Sequence, residues 1–217
     1  MTDYLFILNK FLNAYSDTFV FIEYPPGYGG NTLSRIIAAS PEFYWDGDPV
    51  LYPDEGYYII EDPPSNPPDP HFASFIEQKL CCTHTTDDFM YPDSTPSRVR
   101  DLINFHKKYI KSKKFCIRSH NGNLNETFTK NTIVRISGKE PDFRFFKSTG
   151  RYIKYMDIPN VINIDVNEIF SKDYDTFESS YLYLCNNLDI TPQINRVRAF
   201  ILLWLERQER YKKLKIS

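Results

Sequence analysis

Four short apolar runs alternate along the chain with amphipathic segments. The runs occupy residues 19–22, 114–118, 132–136 and 161–166, and they are rich in Val, Ile and Phe. Such runs are typical of strands buried on both faces of a parallel sheet, whereas apolar residues at helical spacing predict helices. Helices are predicted at the amino terminus, from near 31 to 40, and at 97–113, 142–155, 173–188 and 192–214. This alternation predicts an α/β fold, a three-layer parallel sheet with helices on both faces.

One segment interrupts the alternation. Residues 41–70 contain eight prolines and eight acidic residues but no Lys or Arg. Aromatic residues recur through the segment, which favours a lid or an acceptor-site wall, and a surface excursion of no special role is the alternative. With 217 residues, the chain is predicted to form a single domain, 1–217, with an acidic, Pro-rich insertion at about 41–96.

Composition narrows the function classes. The 26 Lys and Arg residues nearly balance the 28 Asp and Glu residues, for a net charge of -2, which argues against a dedicated nucleic-acid binder. The amphipathic amino terminus lacks the basic region of a signal peptide, and no apolar stretch approaches the ~20 residues needed to span a bilayer. The four cysteines show no C-x-x-C pair. We therefore expect a cytoplasmic protein with reduced thiols, no membrane span and no metal.

The turn after the first apolar run has the composition of a phosphate-binding loop. Gly27, Gly29 and Gly30 lie between that run and a helix that begins near Asn31. Glycines let backbone N–H groups approach an anion, and the helix N-terminus adds partial positive charge. Thr32 offers a hydroxyl to the same anion. The turn lacks the lysine of the G-x-x-x-x-G-K-[ST] loop and the last glycine of G-x-G-x-x-G. A tight strand-to-helix connection without a ligand is the simpler alternative.

Polar residues also follow the next two apolar runs. Arg118 is the last residue of the second run and His120 lies two residues beyond it, whereas Arg135 and Ser137 flank the last residue of the third run. Ligands of parallel sheets bind at the carboxyl ends of strands, so these residues and the glycine turn are predicted to share one edge of the sheet. Simpler roles are a turn hydrogen bond for His120 and an ion pair between Arg135 and a carboxylate such as Asp165.

These motifs together resemble the P-loop sulfotransferases, which use 3'-phosphoadenosine-5'-phosphosulfate (PAPS) as the donor. Residues 29–33, GGNTL, are similar to the S-G-T-T-[WL] part of the family's loop, and residues 118–120, RSH, are similar to its K-T-H motif. The resemblance covers most of the chain outside residues 41–96. It implies a P-loop nucleotide-binding sheet, His120 as general base and Arg118 as the cation beside the transferred group. The donor-binding residues that it implies are Gly27, Tyr28, Gly29, Gly30, Asn31, Thr32, Arg135 and either Ser137 or Ser148.

The implied reaction transfers a sulfuryl group from PAPS to a hydroxyl or amine of a small-molecule or saccharide acceptor, with 3'-phosphoadenosine-5'-phosphate (PAP) as product and no metal. The sequence departs from the family at the loop lysine, whose place falls at Gly27 or Tyr28, and a late R-K-G segment is absent. Two alternatives stay open. One is a nucleoside-triphosphate-dependent phosphoryl transferase, and the other is a non-catalytic protein that binds nucleotide or sugar or serves as an interaction module.

Overall fold

Four parallel strands form the centre of the fold. A computed structural model describes residues 10–25, 27–43, 103–104, 107, 113–119, 130–141 and 160–216. The strands are β1 (Phe19–Glu23), β2 (Phe115–Ser119), β3 (Thr132–Ser137) and β4 (Val161–Asp165). The helices whose two ends both lie among the described residues are α1 (Gly30–Ala38), α2 (Val166–Ile169), α3 (Tyr174–Leu188) and α4 (Ile194–Ile216). Residues 10–14 near the amino terminus are also helical. This arrangement confirms the α/β class.

The order of the strands locates the edge at which a ligand is expected. The sheet order is β2-β1-β3-β4, and every neighbouring pair is parallel. β2 pairs with one edge of β1, whereas β3, which follows β2 in the chain, pairs with the other edge of β1, and β4 lies beyond β3. The order therefore reverses between β1 and β3, and in open α/β sheets ligands bind outside the carboxyl ends of the strands at such a point. The turn after β1 and the end of β3 flank this position.

The two faces of the sheet differ in what covers them. Val20 and Ile22 of β1 and Val134 and Ile136 of β3 belong to one buried core, which also takes the apolar sides of α1, α3 and α4. The alternate residues of these strands, including Phe19, point to the opposite face because successive side chains in a strand alternate. There the ring of Phe11 lies 5.6 Å from the ring of Phe19. Apolar residues thus fill both sides of the sheet at its amino end.

The predicted elements agree closely with those observed. Each strand begins and ends within one residue of its apolar run, and α3 and α4 begin within two residues of their predicted starts. The short helix α2 was not predicted. The predicted helix at 142–155, nearly all of that at 97–113 and most of the insertion at 41–96 lie outside the described residues. None of the described helices combines the length and the apolar character that crossing a membrane requires.

A set of hydrogen bonds joins the chain after α1 to the connection between α3 and α4. The Glu42 carboxylate accepts bonds from the Thr191 hydroxyl at 2.6 Å and the Thr191 N–H at 3.2 Å, and a third from the Ser40 hydroxyl. Partial burial acts to raise the pKa of Glu42, but the bonds from Ser40 and Thr191 outweigh it and lower that pKa to about 2. The Lys114 ammonium donates to the carbonyl of Leu188 at the end of α3, where the helix dipole favours a cation.

Candidate functional site

The turn between β1 and α1 depends on two glycines with left-handed backbone angles. Gly27 has φ 83° and Gly29 has φ 75°, values that side chains with a Cβ rarely adopt. The Tyr28 N–H donates to the Pro25 carbonyl at 3.1 Å and closes the turn. The first α1 bond runs from the Leu33 N–H to the Gly29 carbonyl at 2.8 Å. The predicted glycine-rich strand-to-helix connection is therefore present.

Close packing also explains two of the glycines. A Cβ at Gly30 would lie 2.3 Å from atoms of the Tyr24 ring, and a Cβ at Gly29 would lie 2.8 Å from Cε2 of Phe170. Real Cβ atoms do not approach other atoms so closely, so larger residues would displace these rings. A loss of binding after substitution of Gly30 would therefore report on packing as well as on a ligand, and the turn needs a more selective test.

The first turn of α1 contains donors that the helix itself leaves unbonded. Gly29 occupies the N-cap position, and neither a side-chain cap nor an acidic residue is present in the first turn. Since the first helical bond is donated by Leu33, the N–H groups of Gly30, Asn31 and Thr32 precede the hydrogen-bonded ladder. Free N–H groups and the helix dipole together favour an anion at this end of α1.

Thr32 contributes a second, independent feature of this turn. Its side chain is 0% exposed, and among the residues that the structure describes its Oγ1 has no hydrogen-bond partner. Buried hydroxyls in folded proteins nearly always have a protein or water partner, because an unmade bond costs roughly 1 to 3 kcal/mol. The hydroxyl therefore has free hydrogen-bonding capacity at the position where the sequence predicts an anion.

The end of β3 has a similar feature. Ser137 is buried, and its Oγ likewise has no hydrogen-bond partner within the described part of the chain. Gly138 follows with φ 109°, and a Cβ there would lie 2.7 Å from Oδ2 of Asp165. The end of β3 is therefore in close contact with the end of β4. Two buried hydroxyls without bonds thus flank the point at which the strand order reverses, on β3 and on the helix that follows β1.

A buried ion pair joins Glu23, the last residue of β1, to Arg135, which lies two residues before the end of β3. Arg135 donates from Nε to one Glu23 oxygen at 3.2 Å and from Nη2 to the other at 3.1 Å. The two side chains are 1% and 0% exposed, and the two residues are paired in register across β1 and β3. Burial raises the pKa of Glu23 more than the bonds from Arg135 lower it. The carboxylate partner of Arg135 is thus Glu23, and the suggested pairing with Asp165 is not the one observed.

The other residues implied by the sequence are placed only in part. Arg118 lies next to Ile22 in the register of β1 and β2, at the same edge as the glycine turn. Gly27, Tyr28 and the backbone of Asn31 lie in that turn and at the start of α1. His120 and Ser148 are outside the described residues, so their predicted roles stay predictions. Among the residues that are described, no group of three or more His, Cys, Asp or Glu side chains is arranged as a metal site.

Glu23 is the site residue that sequence reasoning missed. In the sequence, the only indication of its role is that a single carboxylate follows an otherwise apolar run. Register then extends the polar row, because Ser119, Glu23, Arg135 and Asn163 lie side by side on four neighbouring strands. The sheet therefore changes from apolar to polar toward its carboxyl edge.

Comparison with known proteins adds no relative, since no family model matches and neither a curated protein nor a solved structure is significantly similar to this chain. The case for a function therefore depends on the chemistry of the described residues.

Proposed function

We propose that this protein binds a nucleotide bearing phosphate or sulfate groups at the amino end of α1, and that it uses PAPS as a sulfuryl donor. The observation that carries the binding proposal is the buried hydroxyl of Thr32, which has no hydrogen-bond partner among the described residues and lies in the first turn of a helix without a side-chain cap. The turn also flanks the point at which the strand order reverses, where open α/β sheets bind ligands.

Each group in the turn has a distinct role in this proposal. The N–H groups of Gly30 and Asn31 donate to the anion, and Gly29 allows its close approach because it has no side chain. The Thr32 hydroxyl donates to the same group. Ser137 presents a second hydroxyl from β3, the place at which the resemblance puts a contact to the 3'-phosphate. Arg135 supports this edge through its ion pair with Glu23, and a phosphate that reached it would share the guanidinium with that carboxylate.

The chemical step in this proposal is taken from the resemblance to the P-loop sulfotransferases. In this proposal His120 accepts the proton of the acceptor hydroxyl or amine while the acceptor forms a bond to sulfur. The bond from sulfur to the bridging oxygen breaks, and PAP leaves with the electron pair. Arg118 neutralises the charge that develops on that oxygen, in place of the family's loop lysine. The register supports the placing of Arg118 because it brings residue 118 next to β1.

The binding test compares PAP, AMP, ADP and GDP with the full chain in a thermal-shift screen and by calorimetry. PAP should bind more tightly than AMP, since a 3'-phosphate gains one charge-assisted bond worth roughly 1.5 to 3 kcal/mol. A ligand of the folded state also raises the unfolding midpoint. Equal binding of PAP and AMP would remove PAPS as donor, and magnesium-dependent turnover of ATP would favour the phosphoryl transferase.

The catalytic test measures transfer of labelled sulfate from PAPS to a panel of hydroxyl and amine acceptors. His120→Ala should lower kcat by ~10² to 10⁴ and leave PAP affinity nearly unchanged, because proton transfer contributes only to the chemical step. Arg118→Lys should retain more activity than Arg118→Ala because it keeps a positive charge. Transfer by His120→Ala at the wild-type rate would end that assignment, and PAP binding without any transfer would leave a binding protein.

A further inference from the structure

A groove lies between the end of β4, the short helix α2 and one side of α3. Its volume is about 670 Å³, within the range of small-molecule sites. The described lining includes two carboxylates, three aliphatic hydroxyls and one phenol, from Asp165, Glu168, Thr176, Ser179, Ser180 and Tyr183. The four residues from α3 follow helical spacing, so they form one continuous polar stripe along that helix.

Several groups in the groove have unused hydrogen-bonding capacity. Ser180 is only 7% exposed, and within the described part of the chain its hydroxyl makes no hydrogen bond. Asp165 accepts one bond, from the Asn167 N–H at 2.8 Å, as the N-cap of α2. The described structure gives no ion pair to Asp165 or Glu168. The Thr176 hydroxyl donates its proton to the Asp173 carboxylate, which leaves its oxygen free to accept.

The hydroxyls of the groove can donate or accept, and the two carboxylates give its described lining a net negative charge. Ionised carboxylates accept and cannot donate, and a primary ammonium group is the complementary partner, with three donors and no acceptor. Tyr183 is 49% exposed beside them, and the face of an aromatic ring attracts a cation. A neutral sugar hydroxyl would leave the charge of both carboxylates uncompensated. We propose that this groove binds a ligand through a primary ammonium group held by Asp165, Glu168 and Ser180.

Two kinds of molecule carry this group, namely free alkyl amines, including polyamines, and lysine side chains. The shared chemistry is a protonated amine on a flexible apolar stem, and a groove of about 670 Å³ has room for such a stem beside α3. This inference depends on binding alone and does not rest on the proposed nucleotide site.

The test is calorimetric titration of the full chain with pentylamine and with 1-pentanol, which differ only in the charged group. The amine should bind and the alcohol should not at the same concentration, and added salt should weaken the binding of the amine. Titrations with cadaverine, a free diamine, and with Nα-acetyl-lysine methylamide, which carries a lysine side chain, then distinguish the two sources. Tighter binding of either one supports the proposal and identifies its source.

Variants test the assigned residues. Glu168→Gln removes a charge with little change of shape and should weaken amine binding by roughly tenfold, whereas Ser180→Ala should weaken it by roughly threefold to tenfold. Asp175→Asn is the matched control, because Asp175 is an exposed carboxylate on α3 that does not line the groove. It should change the affinity by less than about twofold. Circular dichroism of each variant confirms folding, and the comparison of amine with alcohol on the wild type needs no variant.

Four results would overturn the proposal. The first is binding of pentanol as tight as that of pentylamine, and the second is no binding of any amine. The third is equal weakening by Glu168→Gln and Asp175→Asn, which would show only a general charge effect. The fourth is displacement of the amine by magnesium or calcium at equal concentration, which would assign the carboxylates to a metal.

Discussion

Replacement of Thr32 by valine separates a ligand-binding hydroxyl from a purely structural one. Valine has nearly the same shape and a similar helix propensity, so the change removes the hydroxyl and little else. Because Oγ1 of Thr32 is fully buried and has no partner in the part of the chain that the structure describes, removing it should raise the free energy of unfolding of the free protein by roughly 1 to 3 kcal/mol. For a domain of about this size, that gain corresponds to a rise of roughly 2 to 12 °C in the unfolding midpoint.

The same substitution should weaken nucleotide binding. The lost bond from a hydroxyl to a charged phosphate is worth roughly 1.5 to 3 kcal/mol, or about a tenfold to hundredfold change in Kd. The assay is urea denaturation without ligand, together with calorimetric titration of PAP. Thr32→Ser is the control, since it keeps the hydroxyl and should retain binding while it loses the buried methyl group. A valine variant less stable than the wild type would show that the hydroxyl has a protein partner, and an unchanged Kd would exclude Thr32 from the site.

The other predictions concern stability. Glu23→Gln leaves the charge of Arg135 buried without its carboxylate and should lower the free energy of unfolding by roughly 3 to 5 kcal/mol in urea denaturation. Addition of Arg135→Met should recover part of that loss, and a double variant as unstable as the sum of the two single ones would contradict the pairing. The folded pKa of Glu42 is lowered from 4.5 to about 2, so its stabilising contribution is present above about pH 4.5 and is lost as the pH falls toward 2. The difference in stability between the wild type and Glu42→Gln should therefore shrink across that window, and a constant difference would exclude the carboxylate bonds. Gly30→Ala should lower the free energy of unfolding by roughly 1 to 3 kcal/mol because its Cβ meets the Tyr24 ring, and Tyr24→Leu should reduce this cost in the double variant.

The elements of the fold could be predicted because each depends on local patterns. Four apolar runs gave four strands, and helical spacing gave the main helices. The short helix α2 could not be found this way, since the apolar run continues to Val166 and suggests that the strand does too. The strand ends earlier because the Asp165 side chain accepts a hydrogen bond from the Asn167 N–H and caps a helix. A single capping contact therefore overrides the strand preference of the residue that follows it.

The site was predictable only where its signal is local. The glycine turn and the hydroxyl of Thr32 could be found from their order in the sequence. The partner of Arg135 could not, because the registers of β3 with β1 and with β4 decide whether Glu23 or Asp165 lies beside Arg135. Strands buried on both faces give continuous apolar runs, without the alternation that would specify those registers. Phe170 packs against Gly29, although the two residues are far apart in the sequence. The need for a glycine at position 29 on packing grounds could therefore be recognised only from the fold.

The distribution of polar groups over the sheet supports a function at one edge. In β1 and β3 the buried side chains are apolar up to Ile22 and Val134, and buried polar residues then follow at Glu23, Arg135 and Ser137. A buried ion pair is commonly no more stable than apolar residues of the same volume, and a buried hydroxyl without a partner is less stable. Stability alone therefore gives no reason to concentrate such groups at the carboxyl ends of two neighbouring strands. Binding at the proposed site would give one, because these ends flank the point at which open α/β sheets bind ligands, and the phosphate groups of the proposed nucleotide would supply partners for the two hydroxyls.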